Sequence, residues 1–404
     1  MASVILISCS KTKRATAARA EQLYTSPLFR KSLLFALSQG VPYFIVSAKY
    51  GLLAPDTFVE PYDVTLKRMN VDARNDWGKF VANDLKAKLH VGDSIIFLCG
   101  AEYRRHIEVH LRGSGFPLVS PLEGKSLGRR LSFLARENQE AELSVLYKSF
   151  YAAMRKLFRI QGGGTRLADA SGRLGWPKRG VYFLLEDTES SPSERSFRIS
   201  RIGTHAVSKG SQTTLWDRLS THRGVNSGLG SHRSSIFRLH VGRALVLAGK
   251  HPAIETWGVG QVANRSVREQ EADLERLVSS TIGRMRVLWL DIPDEPGPMS
   301  DRAYVEKGSI GLLSRMAILQ PTKSEQWLGN WSASNKISTS GLWNLNYLYS
   351  KPDSALVDVI GRYVEAISGK SALPDHSIAP PNWHRIQMSK SDSRQLQLFV
   401  EGSD

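Results

Sequence analysis

The chain has 404 residues, of which 41% are hydrophobic and 9% aromatic, an ordinary globular composition that excludes a disordered protein and is long enough for two domains with cores of their own. Its 54 Lys and Arg against 38 Asp and Glu leave a net charge of +16, a field that favours phosphate-rich partners such as nucleic acid. The excess is concentrated in residues 151–250, which carry 17 basic and 6 acidic side chains. Only Cys9 and Cys99 occur, too few for a disulfide framework or a zinc site, and this fits a reducing, cytoplasmic setting. The start MASVILISCSKTKR lacks the basic stretch of a secretory signal, and no apolar run approaches the ~20 residues that span a bilayer.

Three early segments share one format: SVILISCSKTK, PYFIVSAKYGLL and DSIIFLCGAEYRRH. Each is a β-branched or aromatic run that ends in small residues and then in Lys, Tyr or Arg, and helical patterns lie between them. The order predicts an α/β domain over residues 1–160 with a largely parallel sheet. Ligands of such sheets bind beyond the carboxyl ends of the strands. That edge would collect Ser8, Ser10, Lys11 and Lys13, then Lys49 and Tyr50, then Glu102, Tyr103 and Arg104, which suits an anion, a nucleotide or nucleic acid. No Walker A or G-x-G-x-x-G pattern is present, which argues against a dedicated ATP or dinucleotide site.

The order LISCSKT, SAKYGLLAPDTFVEPYD, DW and GAEYRRHI resembles the YaaA-type peroxide-stress proteins over roughly residues 4–125. The resemblance implies a compact α/β domain associated with DNA binding and protection from DNA damage.

A Gly-rich stretch, QGGGTRLADASGRLGWPK at 161–178, predicts the boundary to a second domain at 179–370, with a partly ordered tail at 371–404. GVYFLLE and SFRISRIGTHA read as two strands of a hairpin joined by a long polar loop, DTESSPSERS. TTLWDRLSTHR has helical spacing that places Leu215, Arg218, Leu219 and His222 on one side. A third strand in RMRVLWLDI precedes an amphipathic helix in DRAYVEKGSIGLLSRM that carries Glu306, with Asp301 expected to cap its start. Trp327, Trp331 and Trp343 read as core or groove lining, and His232 and His240 as surface or core-rim residues.

A carboxylate beside a basic, tyrosine-bearing hairpin supplies what a one-metal phosphodiesterase needs: an oxygen ligand, an arginine for the phosphate, and a Tyr or His for water. The sequence of parts resembles the GIY-YIG nuclease domain over about residues 178–345, which is an α+β fold with a small antiparallel sheet. GVY at 180–182 matches the first signature and RIG at 201–203 the second, with Arg201 where the family has tyrosine. The resemblance implies that Tyr182 activates water, Arg218 binds phosphate, Glu306 holds Mg²⁺ or Mn²⁺, and Asn344 is the late asparagine. His205 and His222 lie close enough to Arg201 in sequence to handle protons in place of the missing tyrosine. The chain thus reads as an endonuclease acting on double-stranded DNA, and by fold-level analogy the fusion of a damage- or modification-linked domain to a nuclease would suit defence against foreign DNA. Two other readings stay open: a basic binding module that does not cut, and an enzyme acting on a base or nucleoside at the Lys11, Lys49, Tyr50 and Glu102 edge.

Overall fold

The structure, a computed structural model, describes residues 3–191, 196–206, 210–320, 322–374, 376–381 and 383. The chain divides into two compact units between Ala141 and Glu142.

In the first unit the expected strands form: Ser3–Ser8, Tyr43–Ser47 and Ser94–Leu98, the first lying between the other two and parallel to both. Leu118–Val119 adds a parallel strand at one edge and Gly51–Leu53 an antiparallel one at the other. Burial on both faces explains why these segments read as unbroken apolar runs. Val4, Leu6, Val46, Ile95 and Phe97 meet Trp77, Val81, Leu85 and Ile107 of the helices Val71–Lys88 and Ala101–Leu111. Ile5, Ile7, Ile45, Ile96 and Leu98 alternate with them and are equally buried, toward the face where Pro27–Gln39 and Leu127–Glu137 pack together. Pro27–Gln39 starts where sequence chemistry puts it: Ser26 accepts the Phe29 N–H at the N-cap, Pro27 follows, and Gly40 ends the helix in the left-handed region at φ 70°.

The second unit holds a four-stranded antiparallel sheet in the order Ser196–Gly203, Gly180–Ser191, Arg286–Asp291, Thr165–Arg166. One face buries Val181, Phe183, Leu185, Leu288 and Leu290 against Tyr147, Phe150, Tyr151 and Met154 of the helix Glu140–Ile160, and against the helices Asp301–Leu319 and Leu356–Ile367. The other buries Tyr182, Leu184 and Val287 against Leu215–Arg223, Ile236–Leu247 and Arg265–Gly283. Three sequence expectations change here. The helix Glu140–Ile160 belongs to the second unit, because its apolar face covers that unit's sheet, so the division falls ahead of the Gly-rich stretch. The hairpin strands run on to Ser191 and resume at Ser196, through most of the segment read as a loop. Asp301 does not cap its helix: Ser300 does, while the buried Asp301 carboxylate accepts hydrogen bonds from the Tyr363 and Ser377 hydroxyls and the Ile378 and Ala379 amides. It ties down the start of the expected tail, and Trp383 packs edge-on against Tyr304. Residues 384–404 of that tail lie outside the described residues.

Candidate active site

The two signature strands meet in register, with Tyr182 opposite Gly203 on one side and opposite Trp289 on the other. A bulge at Ser200 breaks the alternation between Ile199 and Arg201. It lets Ile199 face the inner core while Arg201, two residues later, turns to the face that carries Tyr182. Gly203 is glycine because the Tyr182 ring lies over it: a Cβ there would sit 2.3 Å from the Tyr182 hydroxyl oxygen.

That hydroxyl is the centre of a buried chain. Arg201 Nε donates to it at 3.3 Å, and it lies 2.9 Å from His222 Nε2. His222 Nδ1 lies 2.8 Å from Ser235 Oγ, the N-cap of Ile236–Leu247. His222 is fully buried, and burial, then the charges of Arg201, Arg218 and Arg238, hold it well below the usual imidazole range. It is therefore neutral, so one ring nitrogen donates and the other accepts, and the ring links the Tyr182 and Ser235 hydroxyls into one hydrogen-bonded chain. Arg201 also donates to the Trp343 carbonyl at 2.6 Å and stacks over Phe237 with 4.5 Å from guanidinium carbon to ring centre.

The capping box of Thr214 and Asp217 fixes the start of Leu215–Arg223 and so aims its side chains. Leu215, Leu219 and His222 point into the core as their spacing predicts, while Arg218 is half-buried and makes no hydrogen bond or ion pair among the described residues. Its charge reaches both His222 and Glu306. Glu306 comes from the second turn of Asp301–Leu319, where Oε1 accepts the Thr204 N–H at 3.2 Å and Oε2 has no hydrogen-bond partner among the described residues. Burial raises its pKa to about 7, against the opposing pull of Arg201, the Thr204 N–H and Arg218. Thr204 itself is pinned by its hydroxyl, which donates to the Gly180 carbonyl at 2.8 Å. Tyr182, Arg201, Arg218, His222 and Glu306 thus come together from four separate elements.

Other expected residues stand differently. Tyr182 has no exposed surface, and Arg201 only 6%, so the hydroxyl lies beneath the floor of the site. Asn344 is spent on backbone: it accepts the Ile202 N–H at 3.1 Å and donates to the Ile202 carbonyl at 2.7 Å, which locks the second signature strand in place. His205 is turned toward the Lys178 carbonyl through Nε2 at 3.2 Å, and burial beside Arg302 lowers it to about 4. Trp327 and Trp343 are core, both donating to Glu186 Oε1, whereas Trp331 is exposed. His232 is a buried partner of Glu275. Burial, then Arg243 and Arg201, lower half-buried His240 to about 4. Thr204, Ser235 and Phe237 were not among the residues expected at the site; the only sequence signal for any of them was Ser235 standing ahead of an apolar helical run.

In the first unit Arg104 leaves the expected binding edge: it is buried in ion pairs with Glu108 and Glu123. Ser10 turns back to the Thr12 carbonyl and Lys11 stays exposed. Lys13 lies 4.3 Å from the Tyr62 ring centre and Lys49 4.8 Å from that of Tyr50. Ser47 Oγ accepts the amides of Lys49 and Tyr50, so its own proton goes to the Tyr62 hydroxyl at 2.7 Å. Ser8, Glu102 and Tyr103 line a cavity at the end of the sheet. Cys9 and Cys99 are both free thiols, with Cys9 Sγ 3.2 Å from the Tyr103 hydroxyl.

Among the described residues no group of three or more His, Cys, Asp and Glu is placed to hold a metal ion, and no helix is long and apolar enough to cross a membrane. The chain matches none of the curated proteins. Residues 4–136 match a family of unknown function, DUF6884. Residues 142–370, the second unit almost end to end and more than half of the chain, match the GIY-YIG domain, and the chain belongs to the GIY-YIG family.

Proposed function

We propose that the second unit is an endonuclease that cleaves phosphodiester bonds of double-stranded DNA with one Mg²⁺ or Mn²⁺. The observation that carries this reading is the convergence of Arg218, unpaired among the described residues, and of Glu306, whose carboxylate has one oxygen unpartnered among them, beside Arg201 and the Tyr182 it holds. Arg218 holds the scissile phosphate, since among the described residues its guanidinium has no protein anion to satisfy it. Glu306 fits a hard cation that keeps most of its waters and takes one protein carboxylate plus phosphate oxygens. Its buried carboxyl gives up its proton fully at neutral pH only if further positive charge arrives. When bound, the cation supplies charge stabilisation to the phosphate oxygens.

Tyr182 and His222 handle the proton. The Tyr182 oxygen accepts from Arg201 Nε and exchanges its remaining hydrogen bond with His222 Nε2, so a proton can pass between tyrosine and imidazole. Arg201 takes the place of the second signature's tyrosine by holding the Tyr182 hydroxyl and the Trp343 backbone at once. The covering of Tyr182 favours one rival, a domain that binds nucleic acid without cutting it.

Cleavage of duplex DNA, single-stranded DNA and RNA by the purified chain with and without Mg²⁺ separates the two. Cation-dependent cutting that Glu306→Gln abolishes supports the nuclease, and tight binding with no cutting of any substrate supports the rival. The first unit, with its YaaA-like motifs, would direct the cut by recognising DNA, and such a fusion suits cytoplasmic defence against foreign DNA; the two free thiols agree with a reducing compartment.

A further inference from the structure

The first unit carries a cavity of about 280 Å³ that the nuclease reading does not use. Its place follows from topology. The strand Ser3–Ser8 leads toward the helix Pro27–Gln39, and its neighbour Ser94–Leu98 leads into Ala101–Leu111, which lies on the opposite face with Val71–Lys88. Where connections leave adjacent parallel strands toward opposite faces, a crevice opens beyond their carboxyl ends, and this is where open α/β sheets bind ligands. The cavity occupies that crevice: Ser8 comes from the end of one strand, and Gly100 to Tyr103 from the N-cap and first turn of the helix that follows the other.

The lining has two characters. Leu28, Leu66 and the Tyr103 ring give apolar walls, while Lys67 and Arg130 give two cations at the rim. Arg130 is the informative one. Its Nε donates to the Lys125 carbonyl, which steers the guanidinium over Gly100, where NH1 comes within 3.7 Å of the position a Cβ would take. Gly100 is the N-cap of Ala101–Leu111 and offers no side-chain cap. A guanidinium parked at the positive end of a helix is electrostatically unfavourable unless an anion lies between them. Arg130 makes no ion pair among the described residues, and neither does Lys67. Glu102, exposed in the first helical turn, is the one carboxylate on the lining and leaves room for a hydroxyl or amine donor. The volume lies at the lower end of the roughly 300–1,000 Å³ usual for small-molecule sites, which restricts the occupant to about one nucleotide.

We propose that this cavity binds a single nucleotide, its base between Leu28, Leu66 and Tyr103, its sugar hydroxyls toward Glu102, and its phosphate at Arg130, Lys67 and the start of Ala101–Leu111. The same chemistry is offered by a free mononucleotide and by a nucleotide unit of a strand, and the test separates these sources. Titration calorimetry of the full chain with 5′-nucleoside monophosphates and with a short single-stranded oligodeoxynucleotide should show saturable binding to one of the two. If the oligonucleotide binds and monophosphates do not compete, the strand is the source; the reverse outcome assigns the free nucleotide. Arg130→Gln should weaken that binding at least tenfold, and Leu28→Trp, which fills the apolar end and leaves the charges in place, should abolish it. The proposal is overturned if inorganic phosphate or the unphosphorylated nucleosides bind as well as the nucleotides, if neither probe binds, or if both variants bind like the wild type. Leu28, Lys67 and Arg130 lie outside the second unit, so binding is read in Glu306→Gln protein as well. Its result therefore stands apart from whether the second unit cuts DNA.

Discussion

The hydroxyl oxygen of Tyr182 and the α-carbon of Gly203 are packed so closely that a single methyl group on Gly203 would lie 2.3 Å from that oxygen. The glycine of the second signature is in this chain a seat for the tyrosine of the first. Gly203→Ala should therefore destabilise the second unit by about 1–3 kcal/mol, the usual cost of overpacking. It should also displace Tyr182 from Arg201 and His222. Thermal melting reads the first effect and cleavage assays the second; an alanine variant with wild-type melting and activity would contradict the packing described.

Glu306→Gln keeps shape and removes charge. In wild type the folded-state carboxyl titrates at about 7 against an ordinary 4.5. A carboxyl raised in this way favours the protonated form in the folded state, so its contribution to stability declines as pH rises from 4.5 to 7 and is unfavourable above. The glutamine variant, measured without divalent cation, should melt higher than wild type above pH 7, with the difference vanishing below pH 4.5. Its cation-dependent cleavage should fall by at least ~10²-fold, as for loss of an electrostatic stabiliser of the transition state. Wild-type cleavage at fixed Mg²⁺ should drop as pH falls through 7, because the protonated carboxyl does not ligate.

Arg218 and Arg201 should respond differently although both are cations of one site. Arg218→Ala should lower cleavage by roughly 10²–10³-fold with little change in melting, since among the described residues the Arg218 side chain has no hydrogen-bond or ion-pair partner to lose. Arg201→Ala leaves the Trp343 carbonyl and the Tyr182 hydroxyl short of a donor and uncovers Phe237, so it should lower stability by about 1–3 kcal/mol as well. Paired melting and kinetic measurements on the two variants decide the point.

Support for the site comes from behind it. Glu275 joins Arg238 and His232 in a buried network, and Arg238 donates to the His222 carbonyl at 2.9 Å. Glu275→Ala removes one partner and leaves a buried guanidinium uncompensated, so denaturant unfolding should show a loss of about 3–5 kcal/mol.

The charge excess of residues 151–250 makes a prediction that needs no side-chain geometry. Affinity of the full chain for duplex DNA should fall linearly in logarithm with logarithm of salt, with a slope of roughly −0.9 per phosphate neutralised. A level response between low and moderate salt would remove DNA as the partner of this segment.

What the sequence by itself determined were the features set by local periodicity and charge. The three parallel strands of the first unit are legible because strands buried on both faces must be apolar throughout. Leu215, Arg218, Leu219 and His222 are legible as one helical side because their spacing follows the turn, and the match to both signatures placed Tyr182, Arg201 and Glu306 in one domain. Tertiary structure alone decided the rest. Helix Glu140–Ile160 joins the second unit because only the assembled sheet shows which face it covers. Arg201 reaches Tyr182 because a bulge at Ser200 breaks a two-residue alternation that a strand pattern cannot announce. Arg104 and Asn344 carry polar groups suited to ligands, yet both are consumed within the protein: Arg104 by Glu108 one turn on and by Glu123, and Asn344 by Ile202, far away in sequence. The long-range pairings follow from which groups folding brings within reach, and partners such as Ile202 for Asn344 are not written in a residue's own neighbourhood of the chain.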